Sequence, residues 1–276
     1  GHGSAGVAGA RGSMAGPGVV RGGGGQVKGQ GAEARRIAVK EKLASLTAIV
    51  DWNDIQISGR LEEVMPVDIP ALWAADGWKI IECCGHDYAE LYKALKEAAA
   101  SDRPAVVLCH TTMGKGVSFM ENIPDYHGKP ASGDKLEEAL KELGGDMALF
   151  ESVLEARKGP LPKGRSVKHE AAQLDPGTPH TYTKEDKKDN RGAFGKALAE
   201  VGELNHGKAG ATPIIVFDCD LAGSVKVDGF AKVCPDEFIE AGIQEHTTAT
   251  SAGAASSAGV VALWADFGGF ASGAVY

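Results

Sequence analysis

Short apolar blocks alternate with stretches of helical periodicity along most of the chain. Leu46–Val50, Trp78–Cys83, Ala105–His110 and Pro213–Phe217 each read as a buried strand, being brief, apolar and bounded by polar, Gly or Pro residues. Ala32–Ser45 sets Ile37, Ala38 and Leu43 on one face with Arg35, Arg36, Lys40 and Lys42 over much of the rest, the signature of an amphipathic helix leaning on a sheet. Tyr88–Ala100, introduced by Gly85-His86-Asp87, and Arg191–Glu203 are further predicted helices. Strands joined by helices imply parallel sheets, whose ligands gather beyond the carboxyl ends of the strands. Asp51, Cys84 and His110 are therefore expected on one rim, where the glycine-containing loop Thr111–Glu121 begins.

The alternation does not extend over the whole chain. Residues 1–30 hold 12 of the 38 glycines and only one apolar pair of strand character, Val19-Val20, so they are expected to be atypical or disordered, with order beginning at about Ala32. Residues 31–157 form a first α/β domain, 158–189 a Lys-, Pro-, Asp- and Gly-rich linker, and 190–276 a second, partial α/β domain. The small-residue stretch Ala249–Gly259 suits close helix packing at a seam.

Composition narrows the function classes. A net charge of -8 with no clustered basic face argues against nucleic-acid binding. Five cysteines, at 83, 84, 109, 219 and 234, form no Cys-x-x-Cys pair and leave an odd count, which favours reduced thiols and a cytoplasmic setting. No apolar run approaches the ~18 residues of a membrane span. The glycine-rich start lacks the apolar centre of a signal peptide.

The polar residues at the strand ends carry the chemistry. Asp51-x-Asn53-x-Ile55-Gln56-Ile57, His110 through Asn122, Tyr126-His127-Gly128, Asp218-x-Asp220-Leu221 and Gly242-Ile243-Gln244-Glu245-His246 occur in one order along the chain, and together they resemble the transketolases. The resemblance covers roughly residues 26–276, most of a diphosphate-binding domain and the first part of a pyrimidine-binding domain. It implies a thiamine diphosphate-binding fold of two incomplete units in a shortened member of the family. Thiamine diphosphate and Mg²⁺ would be the cofactors, sugar phosphates the substrates and a homodimer the assembly, with neither nucleic acid nor membrane as partner.

Position by position, the resemblance implies roles. Asn53, through its side-chain oxygen, and Ile55, through its carbonyl, would hold Mg²⁺ in the oxygen shell that this ion requires. Asp51, Ile55 and Ile57 would lie against the cofactor. Glu245 would hydrogen-bond the pyrimidine ring, and Glu33 would link the two cofactor sites of a dimer. His127 would stand beside the diphosphate and the reacting carbon, able to hold a developing oxyanion. Asp220 would orient a substrate hydroxyl, Arg191 and Ser224 would grip the sugar phosphate, and His2 resembles a further substrate histidine. Trp264, Phe267 and Phe270, spaced by three, would wall the aminopyrimidine; a helix's core stripe has the same spacing.

One departure bears on activity. The family's metal aspartate stands in a Gly-Asp-Gly element, and the corresponding glycine run here, Gly22–Gly25, has Gly23 at that position. Gly12–Gly18 weakly resembles the family's glycine-rich loop. Three readings stay open: transketolase-like transfer of a two-carbon ketol unit, a deoxyxylulose phosphate synthase-like enzyme, and a non-catalytic remnant or interaction module.

Overall fold

The computed structural model describes residues 19–160 and 171–275, which form two compact units. One comprises Val20–Lys28 and the chain from Thr47 to the end of the first described stretch. The other comprises Gly29–Leu46 and the described residues from 171 on, so the first long helix groups with the second half of the sequence.

The first unit carries β1 (Val19–Gly22), β2 (Thr47–Trp52), the hairpin β3 (Ile55–Gln56) and β4 (Gly59–Arg60), β5 (Lys79–Cys84) and β6 (Ala105–His110). The sheet order is β1-β2-β6-β5, with β2 and β5 both parallel to β6. β6, Ala-Val-Val-Leu-Cys-His, is buried up to His110, as a central strand covered on both faces must be. Register pairs His110 with both Trp52 and Cys84, so the three carboxyl ends are level as expected. β1 is a strand that the sequence does not announce, because a short strand drawn largely from glycine-rich chain borrows its order from the neighbouring strand. A 3₁₀ turn, Gly23–Val27, follows it, and the buried Gln26 accepts the Trp73 indole N–H at 3.0 Å, tying the glycine run to the core.

Helices of this unit, numbered with α1 (Gly29–Lys40) of the other, are α2 (Leu61–Val64), α3 (Ile69–Ala75), α4 (Tyr88–Ala99), α5 (Asp134–Glu142) and α6 (Met147–Arg157). Asp87 caps α4 by accepting from Ala89 N and Glu90 N, which starts the helix where the sequence predicts. Ala94 and Ala98 then pack on Ile81, Cys83, Val107 and Cys109. Burial raises both thiols, that of Cys109 to about 12, which keeps them inert.

The second unit holds α7 (Asn190–Asn205), β7 (Ile214–Asp218), α8 (Ala222–Val225), α9 (Asp228–Val233), β8 (Phe238–Glu240), α10 (Glu245–Ser257), β9 (Val261–Trp264) and α11 (Gly268–Val275). Its sheet is parallel, in the order β8-β7-β9. One core joins Leu198, Val216, Val225 and Phe230, and another joins Ile37 of α1 to Phe217, Ile239 and Ala255. The segment expected to be a linker is tied down over its described part. Leu174 packs on the core, Gln173 N–H donates to Thr212 Oγ1, and Asp175 N–H donates to Asn205 Oδ1.

Candidate functional site

In the first unit, the residues singled out by sequence converge on a cavity of about 280 Å³ lined by Gly22, Gly25, Asn53, Ile55, Gln56, Ile57, Ser58 and His127. β2 ends at Trp52 and the chain turns through Asn53, whose Oδ1 accepts from Ile55 N at 3.0 Å while its Nδ2 donates to Asp51 Oδ2 at 3.1 Å. Asp51 also accepts from the Thr111 hydroxyl, so its carboxylate is committed to holding the loop rather than facing a ligand. This fixes which way the Asn53 amide points. Ile55 is buried and Ile57 is 74% exposed, so Ile57 is the isoleucine side chain available to an apolar ligand surface. His127 closes the short 3₁₀ turn Pro124–Tyr126 and is exposed. Gln56 Nε2 is a buried donor with no partner among the described residues, which marks a demand for an acceptor.

The second unit gathers its polar groups at the carboxyl ends of β7, β8 and β9. Glu245 is the first residue of α10. Glu33 of α1 reaches the same helix end, accepting from Thr247 N at 2.9 Å and meeting His246 Nδ1 at 3.2 Å. A carboxylate is favoured at a helix N-terminus, and Gln30 adds a 2.8 Å bond to Thr250 Oγ1. Glu33 is thus a partly buried cross-helix anchor, a role that only the packing of α1 on α10 reveals. Near Glu245, Gln244 Oε1 is buried without a partner among the described residues, and the Trp264 indole N–H lies beside the Asp266 carboxyl. Desolvation, reinforced by the Glu245 charge, raises the Asp266 carboxyl.

Trp264, Phe267 and Phe270 do not form one helical stripe. Trp264 ends β9, Phe267 lies in the following loop, and Phe270 is in α11, with the two phenyl rings edge-on at 6.2 Å and both exposed. Arg191, near the start of α7, donates to Ser224 O at 3.2 Å, which brings these two together. Asp220 follows β7 in a left-handed conformation, φ 64°, and is exposed. His2 and the Gly12–Gly18 loop lie outside the described residues.

A carboxylate pair that sequence reasoning did not assign supports Asp220. Glu240 Oε1 accepts from Asp220 N at 2.9 Å and Gly242 N at 2.7 Å, so its charge is held by two backbone donors. Asp218, fully buried, receives Leu221 N on Oδ2 and leaves Oδ1 without a donor. Desolvation, and then the neighbouring Glu240, push its carboxyl up to about 6. Because the folded value is raised, this group favours folding fully below its unfolded value near 3.8 and loses that contribution as pH rises through about 6. Asp218→Asn, which mimics the protonated form, should raise stability by about 1–3 kcal/mol at pH 7.5 and by nothing at pH 3.5. Urea unfolding at the two pH values checks this; equal effects at both would contradict it.

Parallel sheets with polar residues at their carboxyl edges, and a glycine-lined cavity carrying an unpaired donor, define an α/β protein whose ligand site lies beyond the carboxyl ends of its strands. The family described as transketolase, thiamine diphosphate binding domain, matches residues 18–170, more than half of the chain. The chain belongs to the transketolase family. It is 35% identical over 127 residues to one subunit of the apulose-4-phosphate transketolase of Phocaeicola vulgatus, covering 45% of each chain. It is 30% identical over 215 residues to the transketolase of Mus musculus, covering 78% of this chain and 33% of that one. Its fold matches the transketolase from Leishmania mexicana with a TM-score of 0.70 at 19% identity, over 94% of this chain and 43% of that one. The matched region thus spans less than half the length of each of these relatives. Among the described residues, no helix is long and apolar enough to cross a membrane.

Proposed function

We propose that the chain performs transketolase-type transfer of a two-carbon ketol unit between sugar phosphates, using thiamine diphosphate and Mg²⁺. The observation that carries this is the cavity that brings the glycine run, Asn53, Gln56 and His127 together. The cofactor, when bound, supplies an electron sink for the cleaved two-carbon unit. Backbone at Gly22 and Gly25 and the unpaired Gln56 amide suit diphosphate oxygens, and Asn53 Oδ1 with the Ile55 carbonyl suits Mg²⁺. Ile57 offers the exposed apolar surface for a ring. His127 stands at the same cavity to hold oxyanions, while Glu245 holds a proton at the pyrimidine ring. Arg191, fixed by Ser224 O, keeps further N–H donors for a phosphate, and Asp220, fixed by Glu240, orients a hydroxyl. A homodimer in the cytoplasm fits this reading, as does the exposed small-residue face of α10, which includes Gly253 and Ser256.

Gly23 favours a second reading, a cofactor fold with weakened metal binding, because it offers no carboxylate where Mg²⁺ ordinarily takes one. Calorimetric titration of thiamine diphosphate with Mg²⁺ separates the two. Gly23→Asp should tighten Mg²⁺-dependent binding by about tenfold or more, and Asn53→Ala should abolish it, since the two positions supply separate ligands to one shell. No binding to the unaltered chain or to Gly23→Asp would remove the transferase reading. Binding unaffected by Asn53→Ala would remove the metal assignment.

A further inference from the structure

The second unit carries a cluster at the opposite end of its sheet from Glu245 and Asp220. β8 is entered through the turn Cys234-Pro235-Asp236-Glu237, closed by Glu237 N donating to Cys234 O at 3.1 Å and pinned to β7 by Val216 N donating to Glu237 O at 2.9 Å. Cys234 is fully buried after α9 and lies against α7 at Gly202, where an added Cβ would come within 2.9 Å of its sulfur. One turn further, His206 ends α7, its N–H bonded to Gly202 O at 2.8 Å. Three elements thereby deliver an imidazole nitrogen, a thiol sulfur and a carboxylate oxygen that all lie within 4.8 Å of one another.

We propose that His206, Cys234 and Glu237 form a binding site for a divalent metal of the zinc class, with Asp236 orienting the histidine. The ligand chemistry selects the ion. A thiolate with an imidazole suits Zn²⁺ or Co²⁺ and not the hard, all-oxygen Mg²⁺. The histidine is presented as a ligand should be: Nδ1 faces Glu237 Oε2 at 3.3 Å, and Nε2 faces Asp236 Oδ1 at 3.6 Å. Nδ1 can thus meet a metal beside Glu237 while Nε2–H faces Asp236, the arrangement of a carboxylate–histidine–metal relay. Cys234 also belongs to the apolar core of this unit, and its sulfur meets the imidazole and the acid from that buried side. Glu237 and Asp236 both flank the imidazole, so two carboxylates stand where a cation would sit. Glu237 remains partly exposed, which leaves a coordination position to water. A metal here would clasp the C-terminal end of α7 to the turn that starts β8, stabilising the unit in proportion to its affinity.

The test uses the reduced full chain without thiamine diphosphate, so that its failure and failure of the transferase reading, on which it does not rest, are distinguishable. Titration with Co²⁺ should give one equivalent of a tetrahedral chromophore with sulfur-to-metal charge transfer, displaced by Zn²⁺ and not by Mg²⁺, and Zn²⁺ should raise the thermal midpoint. Cys234→Ala should abolish the charge-transfer band. His206→Gln, at the exposed edge of the cluster, should weaken binding strongly without disturbing the fold, and Asp236→Asn should weaken it by about 10–100-fold while keeping the spectrum. Absence of the charge-transfer band in the unaltered chain would overturn the proposal. So would a band that survives Cys234→Ala, or affinity indifferent to His206→Gln.

Discussion

Glu245→Gln is expected to slow exchange of the thiazolium C2 proton of bound thiamine diphosphate by at least ~100-fold, the low end of general acid–base contributions. The structure supplies the reason for choosing this carboxylate. Glu245 starts α10, yet Glu33, not Glu245, satisfies the backbone N–H of Thr247 and engages His246. The Glu245 carboxylate itself makes no hydrogen bond among the described residues and is half-buried, so it is available to a ring nitrogen. Glutamine preserves shape and a hydrogen bond but cannot hold the proton. NMR in deuterated buffer follows the exchange without requiring sugar recognition, the role proposed for Arg191, Ser224 and Asp220. Equal rates for the unaltered chain and the variant would remove Glu245 from the mechanism. No acceleration over free cofactor in either would favour the non-catalytic reading.

Gly195→Ala should unfold the second unit at markedly lower denaturant, costing about 3 kcal/mol or more, because overpacking against backbone costs about 1–3 kcal/mol and more when neither side can retreat. An added Cβ there would overlap the Lys226 carbonyl oxygen and come within 2.7 Å of the Lys226 Cβ, and both belong to a turn locked at φ 68°. The ~1 kcal/mol that alanine gains over glycine inside a helix cannot offset it. Gly253→Ala is the matched control. It sits within α10 with nothing within 4 Å of a built Cβ, so the same exchange should stabilise by up to ~1 kcal/mol. Urea denaturation of both variants decides the matter, and a neutral Gly195→Ala would mean that α7 does not approach the α8–α9 turn as closely as the structure shows.

Much of the architecture is legible in the chain. Ala105–His110 is a central strand because an unbroken apolar run must be covered on both faces, and Asp87 starts α4 because its carboxylate satisfies two backbone donors of its own helix. Each of these depends only on residues within one element. The ordered motifs through Asp51, His127, Asp220 and Glu245 likewise point to the transketolases without any coordinate. Other features are not legible in this way. β1 forms beside β2 from a segment with only Val19-Val20 to recommend it. The triplet Trp264, Phe267 and Phe270 spreads over a strand, a loop and a helix, because a spacing of three does not by itself report the backbone that carries it.

The sequence alone thus determined the parallel α/β class, the positions of its principal strands and helices, and the residue types available at their carboxyl ends. Tertiary structure alone decided which of those residues meet. It set Asn53, Gln56 and His127 around one cavity, made Glu33 the anchor of the α10 terminus, buried Asp218 so that its carboxyl is pushed up, and drew His206 toward Cys234 and Glu237. The physical reason is one of range. Strand and helix preferences follow from neighbours a few residues away, whereas the protonation and pairing of a buried polar group follow from desolvation and from charges that distant segments bring beside it.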